Sequence, residues 1–85
     1  MPDRDEIFSN LCRLLQPFNA KGIELVPATD ISADLNIDSV SVMDFVMEVE
    51  DHFDIDIPLN VLSETRTMQD LVSVVEGRLN RSAKP

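Results

Sequence analysis

The sequence predicts an all-α fold: a small four-helix bundle with a short third helix and a long crossover loop between the first two helices. Apolar residues recur every three or four positions in three stretches of the chain, the pattern of a helix with one buried face. Prolines and capping residues separate these stretches. With 85 residues, the chain is expected to form a single domain, 1–85.

The first helix is predicted from residue 4 to residue 15 or 16, with Ile7 and Leu11 on its apolar stripe. Pro17 should end it, because the residue before a proline is disfavoured in helical conformation. The connection 17–37 contains many apolar residues, so we expect it to wrap around the bundle, with one helical turn near 31–35.

The second helix is predicted over 39–53, with Asp38 or Ser39 as its N-cap, because a short side-chain oxygen there accepts a backbone N–H of the first turn. Ser39 would then lie at a helix N-terminus with its hydroxyl near solvent. The residues predicted to face the core are Val42, Phe45, Val46, Val49 and Phe53. Beyond this helix, 54–57 should form an extended segment that buries Ile55 and Ile57.

A short third helix is expected over 59–64. Thr67 and Asp70 resemble a capping box with aspartate in place of the usual Glu or Gln, and they predict a last helix from Met68 to residue 79 or 80. Residues from about 81 to 85 are expected to form a flexible tail.

The second helix also presents apolar residues that its core stripe does not use. They are bordered by acids, and an apolar patch rimmed by charge is typical of a partner-binding surface. The predicted partner-binding residues are Val40, Met43, Asp44, Met47, Glu48, Glu50 and Asp51. An ordinary solvated helix face is the alternative interpretation of the acids.

Residues 34–40 (DLNIDSV), the acidic helix after them and the segment 53–58 (FDIDIP) together resemble the acyl carrier protein family. Its motif is usually D-L-G-x-D-S-L, and its serine carries a 4′-phosphopantetheine arm. The resemblance implies that this arm, derived from coenzyme A, is attached to Ser39 with Asp38 beside it. Asn36 replaces the usual Gly, but Asn is the residue other than Gly that best tolerates a left-handed backbone. Val40 replaces the commonest Leu.

Ser39 has two further interpretations on residue chemistry alone. It can be a plain helix cap, or a nucleophile that needs a nearby base. The only histidine is His52, which lies 13 residues later and roughly 20 Å along the same helix, so it cannot serve as that base. His52 with Asp54 and Asp56 gives no matched ligand set, and no metal site is predicted.

The resemblance implies a carrier and not an enzyme: a protein that holds acyl intermediates as thioesters for enzymes of fatty acid or lipid synthesis. Asn36, Val40 and the apolar stretch 23–26 favour a specialised lipid pathway. One alternative is a peptidyl or polyketide carrier. An alternative from another class is an acidic helical interaction protein that has no prosthetic arm, in which Ser39 only caps the helix.

The chain has a net charge of −9, and residues 22–65 hold most of its acids and no Lys or Arg. This distribution excludes nucleic acid as a partner. The negative charge predicts partners with basic docking surfaces. The resemblance implies that these partners are a phosphopantetheinyl transferase and the enzymes that load and use acyl groups. A single cysteine, no apolar run long enough to span a membrane and no secretory signal favour a cytoplasmic protein, which we expect to be a monomer.

Overall fold

The computed structural model describes residues 3–82, and these residues fold into four helices with no β-strand. The helices are α1 (Arg4–Leu15), α2 (Ser39–Phe53), α3 (Leu59–Leu62) and α4 (Met68–Ser82), and a 3-10 turn (Gln16–Phe18) follows α1. The predicted all-α fold with a short third helix is confirmed. No helix within 3–82 combines the length and the apolar character needed to cross a membrane.

Helix α1 begins where local chemistry predicts. Asp3 is the N-cap, and its Oδ1 accepts the backbone N–H of Glu6 at 2.9 Å. The helix ends at Leu15, but Pro17 does not break the chain direction at once, because it lies at the start of the 3-10 turn, where its missing N–H is not needed. Phe18 of this turn packs edge-on against Phe45 of α2, with ring centroids 6.1 Å apart.

The crossover loop between the 3-10 turn and α2 is ordered, as predicted, because its side chains enter the core. Ile31 and Leu35 are buried. Thr29 is also buried, and its hydroxyl oxygen accepts the N–H of Val26 at 2.8 Å. Where we expected one helical turn, 31–36 form consecutive turns that begin with a hydrogen bond from the N–H of Asp34 to the carbonyl of Asp30, at 2.9 Å.

The crossover loop is joined to the segment before α4 by a short antiparallel bridge. The bridge pairs Asp30 with Thr67. The N–H of Ile31 donates to the carbonyl of Arg66, and the N–H of Met68 donates to the carbonyl of Thr29, both at 3.0 Å. The bridge holds two segments together that are far apart in the sequence.

Helix α2 ends at a left-handed residue, Asp54, with φ 55°. The next N–H, that of Ile55, donates back to the carbonyl of Glu50 at 3.0 Å, which turns the chain sharply. Ile55 and Ile57 are buried, so the predicted extended exit from α2 is confirmed.

Helix α4 begins with the predicted capping box. The hydroxyl oxygen of Thr67 accepts the N–H of Asp70 at 3.1 Å, and a carboxylate oxygen of Asp70 accepts the N–H of Thr67 at 3.2 Å. The helix continues to Ser82, beyond its predicted end at 79 or 80, and so includes the first residues of the predicted tail, 81 and 82. No glycine or proline interrupts 78–82, so nothing local ends the helix at 79 or 80. The rest of that predicted tail, 83–85, lies outside the described residues. Helix α3 is also shorter than predicted, because 63 and 64 form a turn.

Helix α1 packs against α4 and α2, and their apolar faces form one core. The fully buried side chains at its centre are Ile7, Leu11, Leu15, Leu35, Phe45, Val49, Met68, Leu71 and Val75. Val42 and Phe53, which were predicted to face the core, are half-buried and pack against its edge. Cys12 is also half-buried, and this burial raises the pKa of its thiol.

Candidate functional site at the start of helix α2

Ser39 is the first residue of α2, and it is exposed. Of the two candidate N-caps, the structure selects Asp38: its backbone is extended, and its Oδ1 accepts the N–H of Ser41 at 2.8 Å. That hydrogen bond holds the pKa of the Asp38 carboxyl below its usual value, because it stabilises the charged form. Asp38 therefore fixes the helix start, and the hydroxyl of Ser39 faces solvent beside it.

The turn before Ser39 is built by the short motif residues. Asn36 has a left-handed backbone, with φ 53°, as its tolerance for that conformation predicts. The buried Leu35 anchors the turn to the core. The carboxylate of Asp30 accepts the N–H groups of Ser32 and Ala33, at 3.1 and 2.9 Å, which orders the start of the same turn.

Most of the predicted partner-binding surface lies open to solvent along α2. Val40 is 69% exposed, Met47 is 61% exposed and Met43 is 42% exposed, a high value for apolar side chains. The acids Asp44, Glu48 and Asp51 are exposed as well. These six side chains form one continuous apolar and acidic face that begins beside Ser39.

Glu50, the remaining residue of the predicted surface, has a structural contact that sequence reasoning missed. It is half-buried, and its Oε2 accepts the backbone N–H of Ile57 at 2.8 Å. This hydrogen bond fastens the extended exit from α2 to the helix itself. Nothing in the local sequence pairs these two residues, since they are seven positions apart across a turn.

A cavity of about 300 Å³ opens next to α2. Its apolar lining comes from core-facing residues of α2, α3 and α4 and from the crossover loop: Ile31, Val42, Phe45, Val46, Leu62 and Leu71. Polar residues, Asp30, Ser32, Thr65 and Arg66, also line it. Val42 lies one turn after Ser39, so the cavity and the candidate attachment site adjoin. Of these residues, Val42, Phe45 and Val46 were predicted to face the core.

The histidine stays far from this site, as the helix geometry requires. His52 is exposed in the last turn of α2, and its ring packs edge-on against Phe53 at 4.9 Å between centroids. Ser39 has no side-chain hydrogen bond to any residue within 3–82. Its surroundings therefore provide an accessible hydroxyl at a helix N-terminus, without the base that a hydrolytic nucleophile requires.

Comparison with known proteins identifies the class to which this fold and site belong. Residues 9–75 match the family described as "Phosphopantetheine attachment site". The chain belongs to this family of phosphopantetheine carriers. It is 31% identical over 78 residues to the acyl carrier protein of Micrococcus luteus, a match that spans 91% of this chain and 96% of that protein.

Two further relatives are also acyl carrier proteins. The acyl carrier protein of Myxococcus xanthus is 31% identical over 78 residues, which span 91% of this chain and 99% of that protein. The acyl carrier protein of Kocuria rhizophila is 30% identical, again over 91% of this chain and 96% of that protein. Within the phosphopantetheine family, the chain thus groups with acyl carrier proteins, which are carriers and not enzymes.

Family membership implies 4′-phosphopantetheine as a covalently attached cofactor, and the residues at the start of α2 fit such a group. The hydroxyl of Ser39 is exposed, and the N-terminus of α2 favours the anionic phosphodiester that would lie there. Asp38 has one carboxylate oxygen occupied by the N–H of Ser41, which keeps that side chain against the helix.

Proposed function

We propose that this chain is an acyl carrier protein that holds acyl intermediates as thioesters on a 4′-phosphopantetheine arm at Ser39 and presents them to partner enzymes of fatty acid or lipid synthesis. The observation that carries the proposal is the exposed hydroxyl of Ser39, at a helix N-terminus inside the part of the chain that matches the family. When bound, the group supplies a thiol on a long flexible tether, which the protein's own half-buried cysteine cannot supply.

The residues around Ser39 would have three roles in this function. Asp38 positions the helix start and so holds the hydroxyl toward solvent, where a phosphopantetheinyl transferase can reach it. The exposed face of Val40, Met43, Asp44, Met47, Glu48 and Asp51 would bind partner enzymes. Its apolar side chains supply contact area, and its acids attract basic docking surfaces.

Complexes through this face should be transient and sensitive to salt. Exposed ion pairs contribute only about 0–1 kcal/mol each, and physiological salt screens them. A carrier that must visit several enzymes needs such weak complexes, because each partner has to release it after one step. Glu50 would also belong to this surface, in addition to its structural role as the acceptor of the Ile57 N–H.

The cavity beside α2 supports acyl groups as the cargo. Its floor is apolar, and burial of each methylene gains about 0.8 kcal/mol. An acyl chain in this cavity would stabilise the fold, so the thermal stability of the loaded protein should rise with chain length until the cavity is filled. Stability that is independent of acyl length would contradict this part of the proposal.

The decisive experiment measures the intact mass after incubation with coenzyme A and a broad-specificity phosphopantetheinyl transferase. We expect the mass to rise by one phosphopantetheinyl group in the wild type and in Ser41→Ala, and not in Ser39→Ala. Ser41 is a matched control, since it lies two residues later in the same helix turn. If the folded wild type gained no mass, the alternative of an interaction protein without an arm would replace this function.

The finer features of this function are also proposals. Asn36 and Val40 depart from the usual motif, which supports a specialised lipid pathway rather than general fatty acid synthesis. The names of the relatives favour acyl over peptidyl cargo. We further propose that the protein acts as a monomer in the cytoplasm, where its unpaired cysteine would stay reduced.

A further inference from the structure

The cavity beside α2 is not lined uniformly. Its buried side is apolar, with Phe45 and Leu71 fully inside the protein. The residues nearer to solvent are mostly polar: the side chain of Arg66 is 79% exposed, and that of Asp30 is 24% exposed. An acyl chain that entered this cavity would place its tail on the apolar floor and the atoms near the thioester at the polar mouth.

Arg66 and Asp30 face each other at this mouth, and atoms of both side chains make no direct hydrogen bond within 3–82. A guanidinium nitrogen of Arg66 lies 3.8 Å from Oδ2 of Asp30, which is too long for a direct hydrogen bond. Within 3–82, the guanidinium makes no side-chain hydrogen bond, although its charge also acts on the carboxylate of Asp70. The other oxygen of Asp30, Oδ1, accepts the N–H groups of Ser32 and Ala33, whereas Oδ2 accepts none. The mouth thus presents a donor and an acceptor that form a long ion pair with each other but no direct hydrogen bond.

We propose that Arg66 and Asp30 make this carrier selective for acyl groups with a hydroxyl near the thioester, such as 3-hydroxyacyl chains. A hydroxyl both donates and accepts, so one oxygen can accept from the guanidinium and donate to Oδ2 of Asp30. A separation of 3.8 Å leaves room for an oxygen within hydrogen-bonding distance of both atoms. The inference rests on the proposed function, because it concerns the cargo of the Ser39 arm.

The same geometry disfavours other polar cargo. A carboxylate could pair with Arg66, but Asp30 and a chain of net charge −9 would repel it. A ketone accepts but cannot donate, so it would leave Oδ2 of Asp30 without a partner. A plain alkyl chain has no polar atom at this position and would form no hydrogen bond with Arg66 or Asp30. The volume of about 300 Å³ holds about ten water-sized groups, which suits a chain of about ten carbons.

The test compares two cargoes, decanoyl and 3-hydroxydecanoyl, loaded on Ser39 of the same protein and checked by intact mass. The hydroxyl makes a chain less hydrophobic, so without a specific contact it would weaken insertion. We expect the opposite: because Arg66 is largely exposed, the hydrogen bond should contribute as an ordinary one does and favour insertion about fivefold. This factor equals about 1 kcal/mol and should raise the melting temperature by about 4–8 °C over the decanoyl form.

Arg66→Met, which removes the donor but keeps the length of the side chain, should abolish this difference between the two cargoes. Arg13→Met changes an exposed arginine on α1 away from the cavity and should preserve it. Both cargoes are measured on each variant, so a general loss of stability cancels. An equal or lower melting temperature for the hydroxylated form of the wild type would overturn the inference while leaving the proposed function intact. A difference that persists in Arg66→Met would overturn the role of Arg66. Failure of Ser39 to gain an arm would remove the proposed function and this inference together.

Discussion

Replacement of Glu50 by alanine should destabilise the fold, although the residue lies on a helix otherwise expected to serve partners. Its Oε2 accepts the N–H of Ile57, a residue that is only 6% exposed. The variant would leave the N–H of this buried residue without a protein acceptor. An unsatisfied buried donor costs about 1–3 kcal/mol. For a domain of this size, each 1 kcal/mol lowers the melting temperature by about 4–8 °C.

Thermal and urea unfolding of the protein without its arm would measure this effect, with Glu48→Ala as the matched control. Glu48 lies on the same helix, is exposed and makes no hydrogen bond with its side chain within 3–82, so its removal should change stability by less than about 0.5 kcal/mol. Glu50→Gln keeps an acceptor oxygen and should lose less than Glu50→Ala. Equal unfolding free energies for Glu48→Ala and Glu50→Ala would refute the structural role of the Ile57 contact.

Three further predictions concern the partner surface, the glycines and the helix cap. Charge reversal at Glu48 and Asp51 to lysine should reduce kcat/KM of a partner enzyme at low salt and have less effect at high salt; unchanged turnover at low salt would disprove docking through this face. Gly77→Ala should stabilise α4 by about 1 kcal/mol in urea unfolding, because a Cβ there meets nothing within 4 Å, whereas Gly22→Ala should destabilise, because its φ is +64°. The pKa of Asp38 is lower in the folded protein than its unfolded value of about 3.9. The contribution of this cap to the free energy of unfolding is therefore complete above pH ~3.9 and is lost as the pH falls through the lower folded pKa. Asp38→Asn should therefore remove part of the acid sensitivity in a titration of stability below pH ~4, while its amide still caps the helix at neutral pH.

The outcomes of the glycine and cap predictions separate local from tertiary explanations. If Gly77→Ala did not stabilise the protein, α4 would be limited by something other than backbone entropy. If the stability of Asp38→Asn fell with pH in the same way as that of the wild type, the hydrogen bond from Ser41 to Asp38 would contribute nothing to the acid sensitivity of the fold.

Sequence reasoning worked best where local rules govern the structure. The start of α2 at Ser39, the left-handed Asn36 and the reciprocal cap of Thr67 and Asp70 all follow from side chains within a few residues of each other. It failed at the end of α4, where the helix continues to Ser82. Helix ends are the least certain boundaries, because the last turn has few hydrogen bonds and small preferences decide it.

The exposed position of Ser39, the acidic character of α2 and the family motif were determined by the sequence alone, since each depends on neighbours along one helix or one turn. Only the tertiary structure decided that Glu50 holds the N–H of Ile57 and that Arg66 faces Asp30 at the mouth of a cavity. These contacts join segments that are separated in the sequence, and packing of the crossover loop against α2, α3 and α4 brings them together. Periodicity reports which face of a helix is buried, but not which polar groups from distant segments meet there.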